Sequence, residues 1–519
     1  MYLTQAIHKG LRERPDDTAL VFRDERISRT QLAARVARLG AALQRLGMAA
    51  GDRVGMMSLN SPRFVEYFYG TWWGGGVINP VNIRWSPKEV AYSLDDCDTR
   101  ILIVDDAFAR LVPALRELSR SLTTVIFCGS GPVPEGMLGY EALLAEAAPV
   151  PDAGRGNGDL AAVMYTGGTT GMPKGVMLSH GNLYLNVLSG MAAVKRDPRA
   201  SGLVVAPMFH VAGCGLTLIL MQRLACAIVL PMFDELAILQ AVQAHGANEV
   251  FLVPTMLQRV LDHPRFAEFD LTSLHSVLYG AAPIDAALLT RAMAALPGTN
   301  FWQAYGMTEL SPTIAILGAQ EHLPGPNQAR WLRAAGQPVP IAEVRIVDPE
   351  GRECPVGTVG EITARGPMVM QGYWNKPAET AAALRDGWMH TGDGGRVDED
   401  GYLYVVDRIK DMIVSGGENV YSAEVENAIA QLPQVAMSAV IGVPDERWGE
   451  RVHAVLVLRE GAPATTAEDV IAHCKQLIAG YKCPRSVEFR QALPLTAAGK
   501  LQKFALREPY WAGHQRRVN

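Results

Sequence analysis

The sequence predicts an α/β protein: a large N-terminal domain of several subdomains, with parallel α/β sheets and a small β-barrel-like subdomain, then a small α+β C-terminal domain. Three observations lead there. At 519 residues the chain exceeds what one ordinary core accommodates. Through residues 1–150, short apolar runs alternate with segments of helical periodicity, the pattern of a largely parallel sheet. At Val344–Asp348 and Gly360–Ala364 that pattern gives way to strict alternation, with glycine turns near Gly351 and Gly357. The expected boundary divides residues 1–408 from residues 409–519.

In chain order, Leu32–Leu46 has helical spacing and Asp52–Ser58 reads as a strand. Arg63–Gly76 gathers Phe64, Tyr67, Phe68, Tyr69, Trp72 and Trp73, read as core. Ile101–Val104 and Thr124–Phe127 are short apolar strands. No nucleotide fingerprint occurs here, so the segment reads as scaffold, Arg84 excepted. A Gly-rich joint at Gly154–Gly158 leads into the apolar run Leu160–Met164 and then Tyr165–Gly175, which reads Tyr-Thr-Gly-Gly-Thr-Thr-Gly-Met-Pro-Lys-Gly. Its glycines free the backbone to turn successive N–H groups into one concavity. Thr166, Thr169 and Thr170 add hydroxyls and Lys174 a charge, which together make a polyphosphate cradle. It is not the kinase-type P-loop, because Met172 and Pro173 separate Gly171 from Lys174.

Composition excludes several classes. The net charge of −5 offers no basic stripe for nucleic acid. Seven scattered cysteines include no CxxC pair, so neither a zinc site nor a disulfide framework is expected. No signal-peptide core and no apolar run of the ~20 residues a membrane span needs is present, so the expectation is a reducing, cytoplasmic compartment without a transmembrane segment. A homodimer stays open.

The phosphate cradle closely resembles that of the adenylate-forming superfamily, which includes acyl- and aryl-CoA synthetases, peptide-synthetase adenylation domains and luciferases. A serine is usual in that family where Gly167 or Gly168 stands, so one hydroxyl is lost. The resemblance runs from about residue 10 to residue 510, and it implies ATP, Mg2+ and coenzyme A as reactants. It assigns Thr166, Gly167, Gly168, Thr169, Thr170, Gly171 and Lys174 to the phosphates. Val204–Gly213, read as a strand running into a turn, carries Phe209-His210, similar to the family's aromatic-His element at the acyl pocket. Amino-acid-activating relatives carry an aspartate there, so amino acids are not the expected substrates. Ser276–Gly280 leads into Gly280-Ala281-Ala282, the family's adenine slot, which more often has glycine where Tyr279 stands.

In Tyr305-Gly306-Met307-Thr308-Glu309, the resemblance has Tyr305 stack on adenine, Thr308 meet the α-phosphate and Glu309 hold Mg2+. Asp393, on a turn after Trp388, suits the ribose hydroxyls, and Arg408 is the second ribose contact. Lys410 sits at the interdomain hinge, which makes the C-terminal domain mobile. Ser422 reads as a helix N-cap with Glu424 in the first turn. Thr496-Ala-Ala-Gly-Lys500 is similar to the family's terminal turn, whose lysine is catalytic, with Thr166, Glu309 and His210 beside it in the chemistry. Gly416, Gly417 and Asn419 border a pantetheine tunnel. Trp448 and Tyr481 would stack on the CoA adenine, with Arg84 or Lys482 on its phosphates. The acyl pocket is expected from Phe209, His210, Ala212, Gly280, Gly306, Pro312 and Thr313.

The implied activity is that of an AMP-forming acyl-CoA ligase. Plant hydroxycinnamate ligases often have tyrosine where Ala212 stands, so this small apolar residue favours a fatty acid over an aryl or hydroxycinnamate acid. A stand-alone adenylation enzyme delivering to a carrier protein is the alternative of another class. A non-catalytic AMP sensor is disfavoured by the presence of Lys174, Glu309, Asp393, Arg408 and Lys500.

Overall fold

The structure is a computed structural model that describes residues 1–166, 172–194, 197, 200–415, 418–496 and 501–512. Two large sheets stand at its centre. One orders its strands Gly372–Tyr373, Lys174–Ser179, Leu160–Thr166, Val77–Pro80, Arg53–Met57, Ile101–Val104, Thr124–Phe127 and Leu138–Gly139. It is parallel from Leu160–Thr166 to its far edge and antiparallel where Lys174–Ser179 and Gly372–Tyr373 join. The other is parallel through Asn300–Gly306, Ser276–Gly280, Glu249–Leu252, Gly202–Val204, Ala227–Val229 and Thr18–Phe22, with antiparallel strands at both ends. Buried strands of this kind need continuous apolar runs, and Ile101–Val104 is buried at every position.

The expected aromatic core is the helix Pro62–Trp73, in which Phe64, Tyr67, Phe68 and Trp72 are wholly buried. The helix expected over Leu32–Leu46 is observed as Arg29–Arg45; it starts earlier because Ser28 and Gln31 form a capping box. The alternating segments form a third, antiparallel sheet of Glu343–Val347, Gly360–Arg365, Trp388–Val397, Leu384–Arg385 and Leu403–Arg408. The small C-terminal domain packs the helices Ser422–Ile429 and Ala467–Leu477 on a sheet of Glu418–Val420, Ile413–Ser415, Gly449–Leu458, Val435–Asp445 and Ser486–Phe489. Among the described residues no helix is long and apolar enough to cross a membrane.

Three local expectations are corrected. The strand at residues 202–204 ends early, and Ala212 and Gly213 open the helix Val211–Gln222 instead of lying in a turn. His210 is its N-cap, its ring accepting from the Ala212 N–H, and a Cβ on Gly213 would come 2.3 Å from the Pro207 carbonyl oxygen. Asp393 lies inside the strand Trp388–Val397, not on a turn, because it pairs with Arg408 across the ladder. Ser422 is not a cap: Tyr421 holds that position, and the Ser422 N–H and hydroxyl both donate to Asp407. A carboxylate brought in from the large domain outcompetes the local capping bond.

Candidate active site

The strand Leu160–Thr166 carries the chain into the cradle and Lys174–Ser179 carries it out, with Thr166 opposite Lys174. The Tyr165 hydroxyl donates to Asp96 at 2.7 Å, tying the strand end to the neighbouring helix Pro87–Asp96. Gly167, Gly168, Thr169, Thr170 and Gly171 lie outside the described residues, as do Gly416, Gly417 and Lys500.

Three expected residues from distant segments converge. The Tyr305 hydroxyl donates to Asp393 at 2.7 Å, and Arg408 Nε stands 3.5 Å from the other oxygen of Asp393. Tyr305 is brought there by Asn300–Gly306 and Asp393 by the third sheet, so the group bridges two subdomains. Burial, then the Asp393 carboxylate, holds the Tyr305 phenol in its protonated, donating form. Beside Tyr305, a Cβ on Gly306 would lie 1.8 Å from the Pro312 carbonyl oxygen. One on Gly280 would lie 2.2 Å from that of Ala304. Ala281 has a left-handed backbone, φ 65°, which is uncommon without a glycine. Tyr279, just ahead of this slot, is fully buried, and its hydroxyl meets His322 Nε2 at 2.9 Å.

Thr308 and Glu309 are buried in the turn that follows Tyr305. Tyr373, which the sequence reading passed over, donates its hydroxyl to Glu309 Oε1 at 2.9 Å, and Lys174 Nζ lies 5.1 Å from the centre of its ring. Burial pushes the Glu309 carboxyl above its ordinary range, while hydrogen bonds and the Arg408 and Lys174 charges pull it down. Only a weak cue to Tyr373 existed, the Gly372-Tyr373 pair ahead of Pro377.

His210, Ala212 and Ala281 line a narrow pocket, with room for only about 10 Å³, together with Ala206, Pro207, Phe251, Val253 and Met256. Phe209, expected in the lining, is buried in the same core as Phe251 and Met256. Pro312 faces Gly215 of the helix Val211–Gln222, and the Thr313 carbonyl accepts from Asn186 at 2.7 Å.

The Lys410 carbonyl accepts from Arg507, whose guanidinium also pairs with Asp411 at 3.0 Å. Arg84 donates to the Thr496 carbonyl at 3.2 Å, so the chain leading to Lys500 rests against the large domain. In the C-terminal domain Lys482 is paired with Glu424 at 2.7 Å. Arg447 and Arg485 lie over the Trp448 ring, Lys482 lies over that of Tyr481, and Asn419 is exposed on the strand Glu418–Val420. Nearby, Lys503 is buried against Glu426 at 2.8 Å and donates to Ser422, so the Asp407 contact continues into the C-terminal helix Lys503–Trp511.

Comparison with known proteins gives the family. The AMP-binding enzyme family matches residues 7–374, and the AMP-binding enzyme C-terminal domain matches residues 424–500. A feruloyl-CoA synthase of Amycolatopsis sp is 39% identical over 497 residues, 96% of each chain. The medium/long-chain-fatty-acid–CoA ligase FadD8 of Mycobacterium tuberculosis is 35% identical over 98% of this chain and 90% of its own. The crystal structure of the anthranilate CoA ligase AuaEII with anthranoyl-AMP superposes with a TM-score of 0.92 at 28% identity, over 99% of this chain and 98% of that one. This chain therefore belongs to the AMP-binding enzyme family of the adenylate-forming superfamily, and it is an AMP-forming ligase of the acyl-CoA synthetase type.

Proposed function

We propose that this ligase activates a short carboxylic acid with a flat, apolar body, of hydroxycinnamate size, and passes it to coenzyme A. The observation that carries the reading is the lining of the narrow pocket beside His210: Phe251, Val253 and Met256 give it apolar bulk, and His210 is the polar side chain among its walls. The feruloyl-CoA synthase and the anthranilate ligase are relatives with aryl acids in their names. A second reading, a medium-chain fatty acid, is favoured by the small Ala212 in the same wall and by the likeness to FadD8.

The chemistry follows from charge. Oxide is too poor a leaving group for a thiol to displace from a carboxylate. Attack of the carboxylate on the α-phosphorus of ATP, with pyrophosphate leaving, gives an acyl-adenylate whose leaving group is AMP. Bringing two anions together is a task of positioning and electrostatic stabilisation, with no protein nucleophile. Lys174 and the cradle take the β- and γ-phosphates, and Thr166 and Thr308 the phosphoryl oxygens near the reacting centre. Tyr305 stacks on adenine, Asp393 and Arg408 hold the ribose, and Lys500 bridges carboxylate and α-phosphate. Among the described residues no cluster of three or more His, Cys, Asp or Glu could cage a metal. One buried glutamate, with an oxygen already held by Tyr373, suits Mg2+ bound chiefly through phosphate oxygens. When bound, that ion neutralises phosphate charge. The domain boundary is placed after Arg408, the tunnel for CoA beside Gly416-Gly417, and the enzyme in the cytoplasm, in keeping with its seven unpaired cysteines.

Pyrophosphate release across a panel of aryl and alkyl acids, with and without CoA, tests the reading. Feruloyl-sized acids should release pyrophosphate and AMP, fastest with CoA. ADP and phosphate as products would reject adenylation, and strong adenylation without a CoA response would point to a carrier protein. Enlarging the wall by Ala212→Phe should cost about 1–3 kcal/mol of transition-state binding for the best acid and less for shorter ones, because overpacking a filled site is unfavourable. Equal losses for long and short acids in the same assay would move the acyl group elsewhere.

A further inference from the structure

Tyr373 touches two groups of opposite charge at once. Its hydroxyl donates to Glu309 Oε1 at 2.9 Å, and Lys174 Nζ lies 5.1 Å from its ring centre. Tyr373 and Glu309 are 9% and 6% exposed, so the hydrogen bond between them is shielded from water. The backbone beneath is held firmly. Tyr373 pairs with Val176 on the strand that begins at Lys174, and its N–H donates to Thr380 Oγ1 at 2.9 Å. The preceding Gly372 has φ 140°, and a Cβ there would meet Thr380 Cγ2 at 2.8 Å.

This arrangement solves a specific problem. A glutamate and a lysine placed to serve the same polyphosphate attract each other, and a direct ion pair would turn both away from the nucleotide. A phenol can hold them separately. Its O–H occupies one carboxylate lone pair and fixes the rotamer, leaving the remaining lone pairs for a cation. Its ring face attracts the ammonium without neutralising it. Groups that hold a metal's ligands in orientation typically contribute 10–100-fold to metal affinity.

We propose that Tyr373 is a positioning residue of the nucleotide site: its hydroxyl orients Glu309 toward the divalent cation, and its ring holds Lys174 toward the phosphates. The inference rests on the reading of Glu309 as the metal carboxylate. ATP binding by calorimetry in EDTA, and Mn2+ binding to the enzyme–ATP complex by electron paramagnetic resonance, separate the two contacts. Tyr373→Phe keeps the ring, so ATP affinity in EDTA should stay at the wild-type value while Mn2+ affinity falls about tenfold. Tyr373→Leu should lower Mn2+ affinity as much and also weaken metal-free ATP binding, by about two- to fivefold. In a Glu309→Gln background Tyr373→Phe should have no further effect on Mn2+ affinity, an outcome that a general loss of packing would not produce. Wild-type Mn2+ affinity in Tyr373→Phe would overturn the proposal. So would identical EDTA affinities for the wild type and the Leu variant, or additive losses in the double variant. If Glu309→Gln alone binds Mn2+ as the wild type does, the reading of Glu309 fails first and takes the proposal with it.

Discussion

Lys500→Ala is expected to slow acyl-adenylate formation by about 100- to 1,000-fold, the usual cost of removing one preorganised donor from a developing charge. At 1.36 kcal/mol per tenfold, that is about 3–4 kcal/mol of transition-state stabilisation. The same variant should convert supplied acyl-adenylate and CoA to thioester at close to the wild-type rate. The physical reason lies in what the C-terminal domain must do twice. Ahead of Lys500, Arg84 holds the Thr496 carbonyl against the large domain, and Leu495 bridges to Leu501. On the proposed reading, Lys500 and the Gly416-Gly417 tunnel wall must each serve the same reacting carbon, so the small domain is expected to turn about Lys410 between the half-reactions. Lys410→Pro restricts φ at that point and should have the opposite effect, sparing adenylation and slowing thioester formation. Rapid-quench measurement of the two steps separately checks both variants. Equal impairment of both steps by Lys500→Ala would refute the two-arrangement mechanism.

Gly306→Ala is expected to abolish nucleotide binding through a single methyl group. The Cβ would sit 1.8 Å from the Pro312 carbonyl oxygen, and a backbone atom cannot step aside as a side-chain tip can. The pairing of Asn300–Gly306 with Thr313–Leu317 already shifts register between Tyr305 and Gly306, so this is where the ladder would give way. Displacement there moves Tyr305 away from Asp393 and Glu309 away from Tyr373, dismantling two contacts from one site. ATP affinity measured by calorimetry should fall at least about 100-fold, and stability by roughly 2–4 kcal/mol, near the upper end for a point substitution. Gly325→Ala is the control. A Cβ there meets nothing within 4 Å, so both affinity and melting temperature should stay unchanged. Wild-type ATP affinity in Gly306→Ala would remove this turn from the nucleotide site.

The sequence by itself determined the strands and the chemistry carried between them. Ile101–Val104 was legible because burial on both faces writes itself as a continuous apolar run, a local property. The glycine-, threonine- and lysine-rich run Tyr165–Gly175 and the run Tyr305–Glu309 could be singled out because each concentrates its residue types within a few positions. What only the tertiary structure decided were partnerships between segments far apart in the chain. Tyr305 meets Asp393 across 88 residues, Glu309 meets Tyr373 across 64, and Arg84 meets Thr496 across 412. Tyr279 shows the difference within one strand: its presence was plain, but the partner of its hydroxyl, His322, lies 43 residues further on. Ser422 shows it at a helix start, where local preference wrote a cap and a carboxylate from another domain claimed the hydroxyl. Periodicity records how much of a segment is buried. Which distant group completes a hydrogen bond is set by how the sheets pack on one another, and no short window of sequence contains that.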